Sequence, residues 1–168
     1  FWLATIVPYL AVGIRRMHDQ DRSGWWIICP IANIIFLIAY AVILMPGGSG
    51  ELNPRIQNGK LVFAYGGNFL IRSRSLFADP QFVAASTNST TTPGRILAIV
   101  DDLERRYGKI PIYVVGTSRS TEATLSLSKS IDGKVAGFVH SSSMNAIVDL
   151  DTEGARSRHL IVLHRLDA

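Results

Sequence analysis

No formally charged side chain occurs between Trp25 and Met45, where the chain reads WWIICPIANIIFLIAYAVILM. A helix over that stretch, rising about 1.5 Å per residue, matches the ~30 Å hydrocarbon core of a bilayer. The run therefore predicts a transmembrane helix over residues 25–45. The opening segment FWLATIVPYLAVGI is also apolar but too short to span a bilayer comfortably, and it predicts the tail of an earlier membrane helix. Neither segment has the charged leader and small-residue cleavage site of a secretory signal peptide.

The mean hydropathy of +0.23 hides two regimes, because the apolar excess sits in the first third and residues 51 onward resemble an ordinary soluble domain. The net charge of +4 is divided as well: Arg15, Arg16 and Arg22 against Asp19 and Asp21 give +1 before residue 51, leaving +3 beyond it. No basic stripe with interleaved aromatics is present, so a nucleic-acid partner is not expected. Cys29, the only cysteine, excludes an internal disulfide and a cysteine metal cage. No metal and no cofactor are implied.

Arg15-Arg16-Met17-His18-Asp19 and Arg22-Ser23-Gly24-Trp25-Trp26 lie between the two apolar segments. Arginines at the phosphate level, a glycine turn and an aromatic belt suit a hairpin loop at a membrane surface, and its Arg content places it in the cytoplasm. Everything after Met45 is then expected outside the inner membrane. With Pro8 before the loop and Pro46-Gly47-Gly48 closing the second segment, residues 1–55 resemble the inner-membrane family known as domain of unknown function 805. That family has no established activity, so the resemblance implies location and architecture, with the lipid bilayer as partner.

After residue 48 the pattern changes. The expected organisation is a transmembrane helical segment over 1–48, a Gly- and Asn-rich linker over 49–60, and an α/β domain over 61–168. Short, nearly continuous apolar runs at Leu61–Tyr65, Phe82–Ser86, Ile112–Gly116, Val135–His140 and Leu160–His164 predict strands of an open, mostly parallel sheet. Helices are predicted at Asn68–Ala78, Pro93–Tyr107 and Thr121–Ile131. Asp101 and Asp102 fall on the outward face of the middle helix and read as solvated charges, not a metal pair.

Chemistry concentrates in Ile112-Tyr-Val-Val-Gly-Thr-Ser-Arg-Ser-Thr-Glu122, where an apolar strand runs through Gly116-Thr117-Ser118-Arg119-Ser120 into a helix. Small residues at both ends of that pentapeptide allow a sharp turn that projects the Ser118 oxygen while neighbouring amides remain free for an anion. The plainer alternative is that the Ser118 hydroxyl caps the following helix. Gly66-Gly67-Asn68 follows an early strand and opens another helix, the expected position of a second anion-binding turn.

These features are similar to the α/β-hydrolase family over residues 60–168. They are Gly67-Asn68-Phe69-Leu70-Ile71-Arg72-Ser73-Arg74, the elbow Gly116–Ser120, and Leu163-His164-Arg165-Leu166-Asp167. The resemblance implies Ser118 as nucleophile, Asp167 as the acid that orients a catalytic histidine, and Gly66, Gly67 and Arg119 as the oxyanion hole. Ser120 departs from the family's second elbow glycine. The family's histidine follows the acid in chain order, and none of His18, His140, His159 or His164 is a convincing substitute. The expectation is therefore a piece of a longer membrane-anchored serine hydrolase acting on an ester, thioester or amide, inactive by itself. The alternative is a non-catalytic membrane protein whose α/β domain binds a ligand or partner.

Overall fold

The computed structural model describes residues 40–77, 81–143, 148 and 150–163, all within the compact unit Ile38–Ala168. Five parallel strands form one sheet: β1 (Tyr40–Met45), β4 (Phe82–Ser86), β5 (Ile112–Thr117), β6 (Gly137–Ser141) and β7 (Arg158–Val162), in the order β4-β1-β5-β6-β7. A separate antiparallel hairpin pairs β2 (Pro54–Gln57) with β3 (Lys60–Phe63). Helices α1 (Phe69–Ser73), α2 (Pro93–Tyr107) and α3 (Ser120–Ser130) complete the unit, with a 3-10 turn at Arg74–Leu76 after α1.

Counted along the sheet strands alone, the order is 2-1-3-4-5, that of a doubly wound α/β sheet. Alternate residues of β1 divide between two cores. Ala41, Ile43 and Met45 pack with Val114 and Phe138 under Ile96, Val100 and Leu103 of α2 and Ala123 and Leu127 of α3. Leu44 packs with Val115 and Leu70 of α1 on the opposite face. A strand buried on both faces needs an unbroken apolar sequence, and Ala-Val-Ile-Leu-Met supplies it.

That strand corrects the expected membrane helix at its C-terminal end. Tyr40–Met45 pairs in register with Phe82–Ser86 on one side and Ile112–Gly116 on the other. The extended backbone of β1 is incompatible with a helix through Met45. The remainder of the expected hairpin, including Trp25–Ala39, the arginine loop and residues 1–14, lies outside the described residues. Among the described residues no helix is long and apolar enough to cross a membrane.

The sequence predicts five parallel strands and five are present, but the first is β1 and not Leu61–Tyr65. That segment instead contributes β3 to the hairpin, inside what reads as linker and domain start. Asn58 and Gly59 at its tip both have positive φ, 51° and 72°, the backbone of a tight two-residue hairpin turn. Helix α2 coincides with its expected bounds: Pro93 sits in the first turn, and Gly108, at φ 78°, ends the helix through its amide bond to the Glu104 carbonyl.

Candidate functional site

In a doubly wound sheet a crevice opens beyond the carboxyl ends of the strands where the winding reverses, here between β1 and β5. Two turns meet there. One leaves β1 at Pro46-Gly47-Gly48, and the other carries Ser118 between β5 and α3. Ser118 has φ 51°, a left-handed backbone that a non-glycine residue adopts at a cost. Its amide donates to the Ser141 carbonyl at 2.9 Å, and its carbonyl accepts from the Thr121 amide at 3.0 Å and the Thr121 hydroxyl at 2.6 Å. The turn is thus fixed from the adjacent strand and from the helix it introduces.

The flanking residues explain why the turn is so tight. A Cβ at Gly116 would stand 2.5 Å from the Ser120 carbonyl oxygen and 2.7 Å from Thr124 Cγ2, so α3 can lie against β5 only with glycine there. Ser120, where the family pattern has a second glycine, does not crowd the turn. It is buried, and its hydroxyl donates to the Pro46 carbonyl, tying the first turn of α3 to the end of β1. Helix α3 has no side-chain cap bond, so the capping alternative for Ser118 is not the arrangement found. Among the described residues no hydrogen bond reaches the Ser118 hydroxyl, which is half-buried at the crevice. Among the described residues the Arg119 amide finds no backbone acceptor, and its side chain is exposed.

The glycine turn that meets Ser118 is Gly47. A Cβ there would lie 2.8 Å from the Thr117 carbonyl oxygen and 3.0 Å from Ser118 Cβ. Gly66 and Gly67 occupy the turn between β3 and α1; the first would meet only the Phe63 carbonyl oxygen at 3.7 Å, and the second would meet nothing within 4 Å. Their preceding strand, β3, belongs to the hairpin, so Gly66 and Gly67 do not follow a strand of the main sheet. Asn68 connects the two turns. Its Oδ1 accepts from the Leu70 amide at 3.1 Å, capping α1, while its Nδ2 donates to the Gly47 carbonyl at 3.2 Å. Sequence reasoning assigned Asn68 no role, although an Asn just before a helix is a capping signal.

His140, the strand-end histidine considered as a base, lies under α3 and is fully buried. Thr124 Oγ1 donates to the Thr121 carbonyl at 2.9 Å, leaving a lone pair for His140 Nδ1–H at 2.8 Å. His140 Nε2 then accepts from His159 Nδ1–H at 3.3 Å, with the two rings stacked 5.5 Å apart. Burial, reinforced by the neighbouring His159, lowers the pKa of His140 from 6.5 to about 4. His159 is lowered by burial too, with the Asp132 carboxylate opposing the shift. Both nitrogens of His140 are engaged away from Ser118, so His140 is a framework residue. Asp167 and His164 lie outside the described residues.

Asp102 holds Arg106 Nε at 2.8 Å on the solvent face of α2 and its carboxyl is lowered by that bond, as expected for a solvated pair. No cluster of three or more metal-binding side chains is found among the described residues. A hollow of about 290 Å³ beside the elbow is lined by Ser49, Ser89, Thr91, Arg119 and Glu122 among others, and is predominantly polar.

Comparison with known proteins bears on the N-terminal part. Residues 1–53 match the family described as Protein of unknown function (DUF805). Over 52 residues the chain is 40% identical to Inner membrane protein YhaI of Escherichia coli, from strain K12 and from O157:H7 alike. That stretch is 30% of this chain and 44% of the relatives, so the chain spans less than half their length. The N-terminal third is thus similar to inner-membrane proteins of a family without an established function. The family match runs through β1 and the Gly47 turn, so it overlaps an inner strand of the sheet. No solved structure matches the chain.

Proposed function

We propose that this is a bacterial inner-membrane protein whose α/β unit binds a small polar ligand, without catalysis, in the crevice between β1 and β5. The likeness of residues 1–53 to an inner membrane protein supports the location and the bilayer as partner. The single observation that carries the site is the contact of the Gly47 turn with Ser118 where the sheet's winding reverses. The uncommitted Arg119 amide, the Arg119 guanidinium and the hydroxyls of Ser49, Ser89 and Thr91 favour a ligand with a carbonyl or anionic oxygen. The side of the membrane on which this unit lies follows, in this reading, from the arginines of the 15–22 loop, which favour an extracytoplasmic position.

A second reading is favoured by one specific feature, the left-handed backbone of Ser118 at a strand-to-helix turn. It is a membrane-tethered serine hydrolase of the α/β-hydrolase type, acting on an ester, thioester or amide. Ser118 would attack the acyl carbon, and the Arg119 amide with one from the Gly47-Gly48 turn, in place of Gly66 or Gly67, would hold the oxyanion. Asp167 would orient a histidine that the described residues do not supply. Without such a base the hydroxyl stays protonated and weakly nucleophilic.

A serine-directed fluorophosphonate applied to the full chain in lipid nanodiscs separates the two. The binding reading expects no adduct at Ser118, together with amide shifts at Gly48 and Arg119 on titration with acetate. An adduct mapped to Ser118 and lost in Ser118→Ala would establish the hydrolase. Absence of both the adduct and the amide shifts would remove the crevice as a site.

A further inference from the structure

A second cleft lies beside the edge strand β4 and shares no lining residue with the hollow next to the elbow. It has a volume of about 470 Å³, within the ~300–1,000 Å³ usual for small-molecule sites. Leu52 and, from the hairpin, Leu61 and Phe63 line it together with Ala84 and Ser86 of β4 and with Arg74. The local sequence builds this shape. The Asn58-Gly59 turn folds β2 back on β3 and places Phe63 opposite Pro54. The Leu52 carbonyl accepts from the Ala64 amide at 3.2 Å, joining the hairpin to the loop after β1.

Arg74 is the unusual member. It begins the 3-10 turn after α1, and its guanidinium carbon lies over the Phe63 ring, 4.3 Å from the centroid. A cation–π contact draws on the ring's electrons and uses none of the guanidinium's N–H donors. Among the described residues none of those donors has a carboxylate or carbonyl acceptor. The carboxylates with bonds of their own are engaged elsewhere: Asp102 with Arg106, Asp132 with the amides of Arg156 and Ser157, Asp151 with the amide of Glu153, and Glu51 with Asn53. A half-buried cation set against an aromatic ring in a mainly apolar cleft is matched by a molecule with an apolar body and one planar anionic end.

We infer that this cleft binds a small aryl- or alkyl-carboxylate, its carboxylate bidentate on Arg74 and its apolar body between Phe63, Leu61 and Ala84. The site stands apart from the Ser118 crevice and does not depend on either reading of it.

The test is a fluorine NMR titration of 4-(trifluoromethyl)phenylacetate into the full chain in nanodiscs, with empty nanodiscs subtracted. Saturable binding is expected for the native chain. Arg74→Gln should weaken it at least tenfold, whereas Arg74→Lys, which keeps the charge but not the fork, should cost less. Leu61→Gln, on an exposed part of the wall, should weaken it about threefold, and the uncharged phenylacetamide analogue should bind the native chain no better than the acid binds Arg74→Gln. Arg72→Gln on the neighbouring exposed helix position should leave binding unchanged. No saturable binding, equal binding by native and Arg74→Gln proteins of unchanged circular dichroism, or equal loss in Arg72→Gln would overturn the proposal.

Discussion

Gly47 and Ser118 touch so closely that a methyl group added to the first would stand 3.0 Å from Cβ of the second and 2.8 Å from the preceding carbonyl oxygen. Because the nearest atom is backbone, relief requires one of the two turns to move. Gly47→Ala should therefore destabilise the unit by about 1–3 kcal/mol, the usual range for overpacking. Gly67→Ala, with no neighbour within 4 Å and no positive φ, should stay within about 0.5 kcal/mol. Urea denaturation of the two variants checks the contrast; equal effects would contradict the placement of the Gly47 turn.

Ser120 makes the buried hydroxyl bond that ties α3 to Pro46. Ser120→Ala removes the donor and leaves the Pro46 carbonyl without it, which should cost about 1–2 kcal/mol. Ser120→Gly should cost more, since it adds backbone freedom in the first turn of a helix. Thermal melts of both variants give the order, and a Ser120→Gly protein more stable than the native one would show that the bond contributes nothing.

How much of this could be seen beforehand varied with the local physics. Helix α2 was legible to its ends, because Pro93 and Gly108 mark its limits and Ile96, Val100 and Leu103 recur at helical spacing. The Gly116–Ser120 turn was legible as well, since a strand-period run changes to a helix at small residues. Strand β1 was not. Six apolar residues that continue a longer apolar run carry no period of their own, and a buried strand and a membrane helix then look alike. With Tyr40–Met45 read as helix, Gly47 follows no strand, and Gly66 and Gly67 stand in its place as the expected partner of Ser118. The hairpin was missed although Asn58-Gly59 is a strong turn signal, because its strands are short and exposed.

Asn68 bonds both α1 and the β1 turn through one amide group. Asn68→Ala loses the cap and the cross-link together and should destabilise by about 1–2 kcal/mol. Asn68→Asp keeps the capping acceptor but cannot donate to Gly47, so it should recover only the capping part. Chemical denaturation of the pair separates the two contributions. Asn68→Asp as stable as the native chain would show that the bond to Gly47 carries no weight.

The histidine pair sets a pH window. His140 has a folded pKa of about 4 against 6.5 for the unfolded chain, so folding favours its neutral form. Its contribution to stability is present in full above about pH 6.5 and is lost as the pH falls toward and through 4. His159, also lowered, acts in the same direction. Urea midpoints measured from pH 7 to 4 should decline, and the decline should flatten in His140→Asn, which cannot titrate. An unchanged slope would mean that His140 is not held neutral.

The account depends most on Tyr40–Met45 lying inside the sheet. Methyl-labelled protein in nanodiscs with deuterated and protonated lipid tests this directly, through nuclear Overhauser contacts of the Ile43 methyls. The expected result is cross-peaks from Ile43 to Val114 and Leu127, its neighbours in the core. Cross-peaks from Ile43 to lipid acyl chains, with none to Val114, would place the segment in the bilayer and remove the strand that joins β4 to β5.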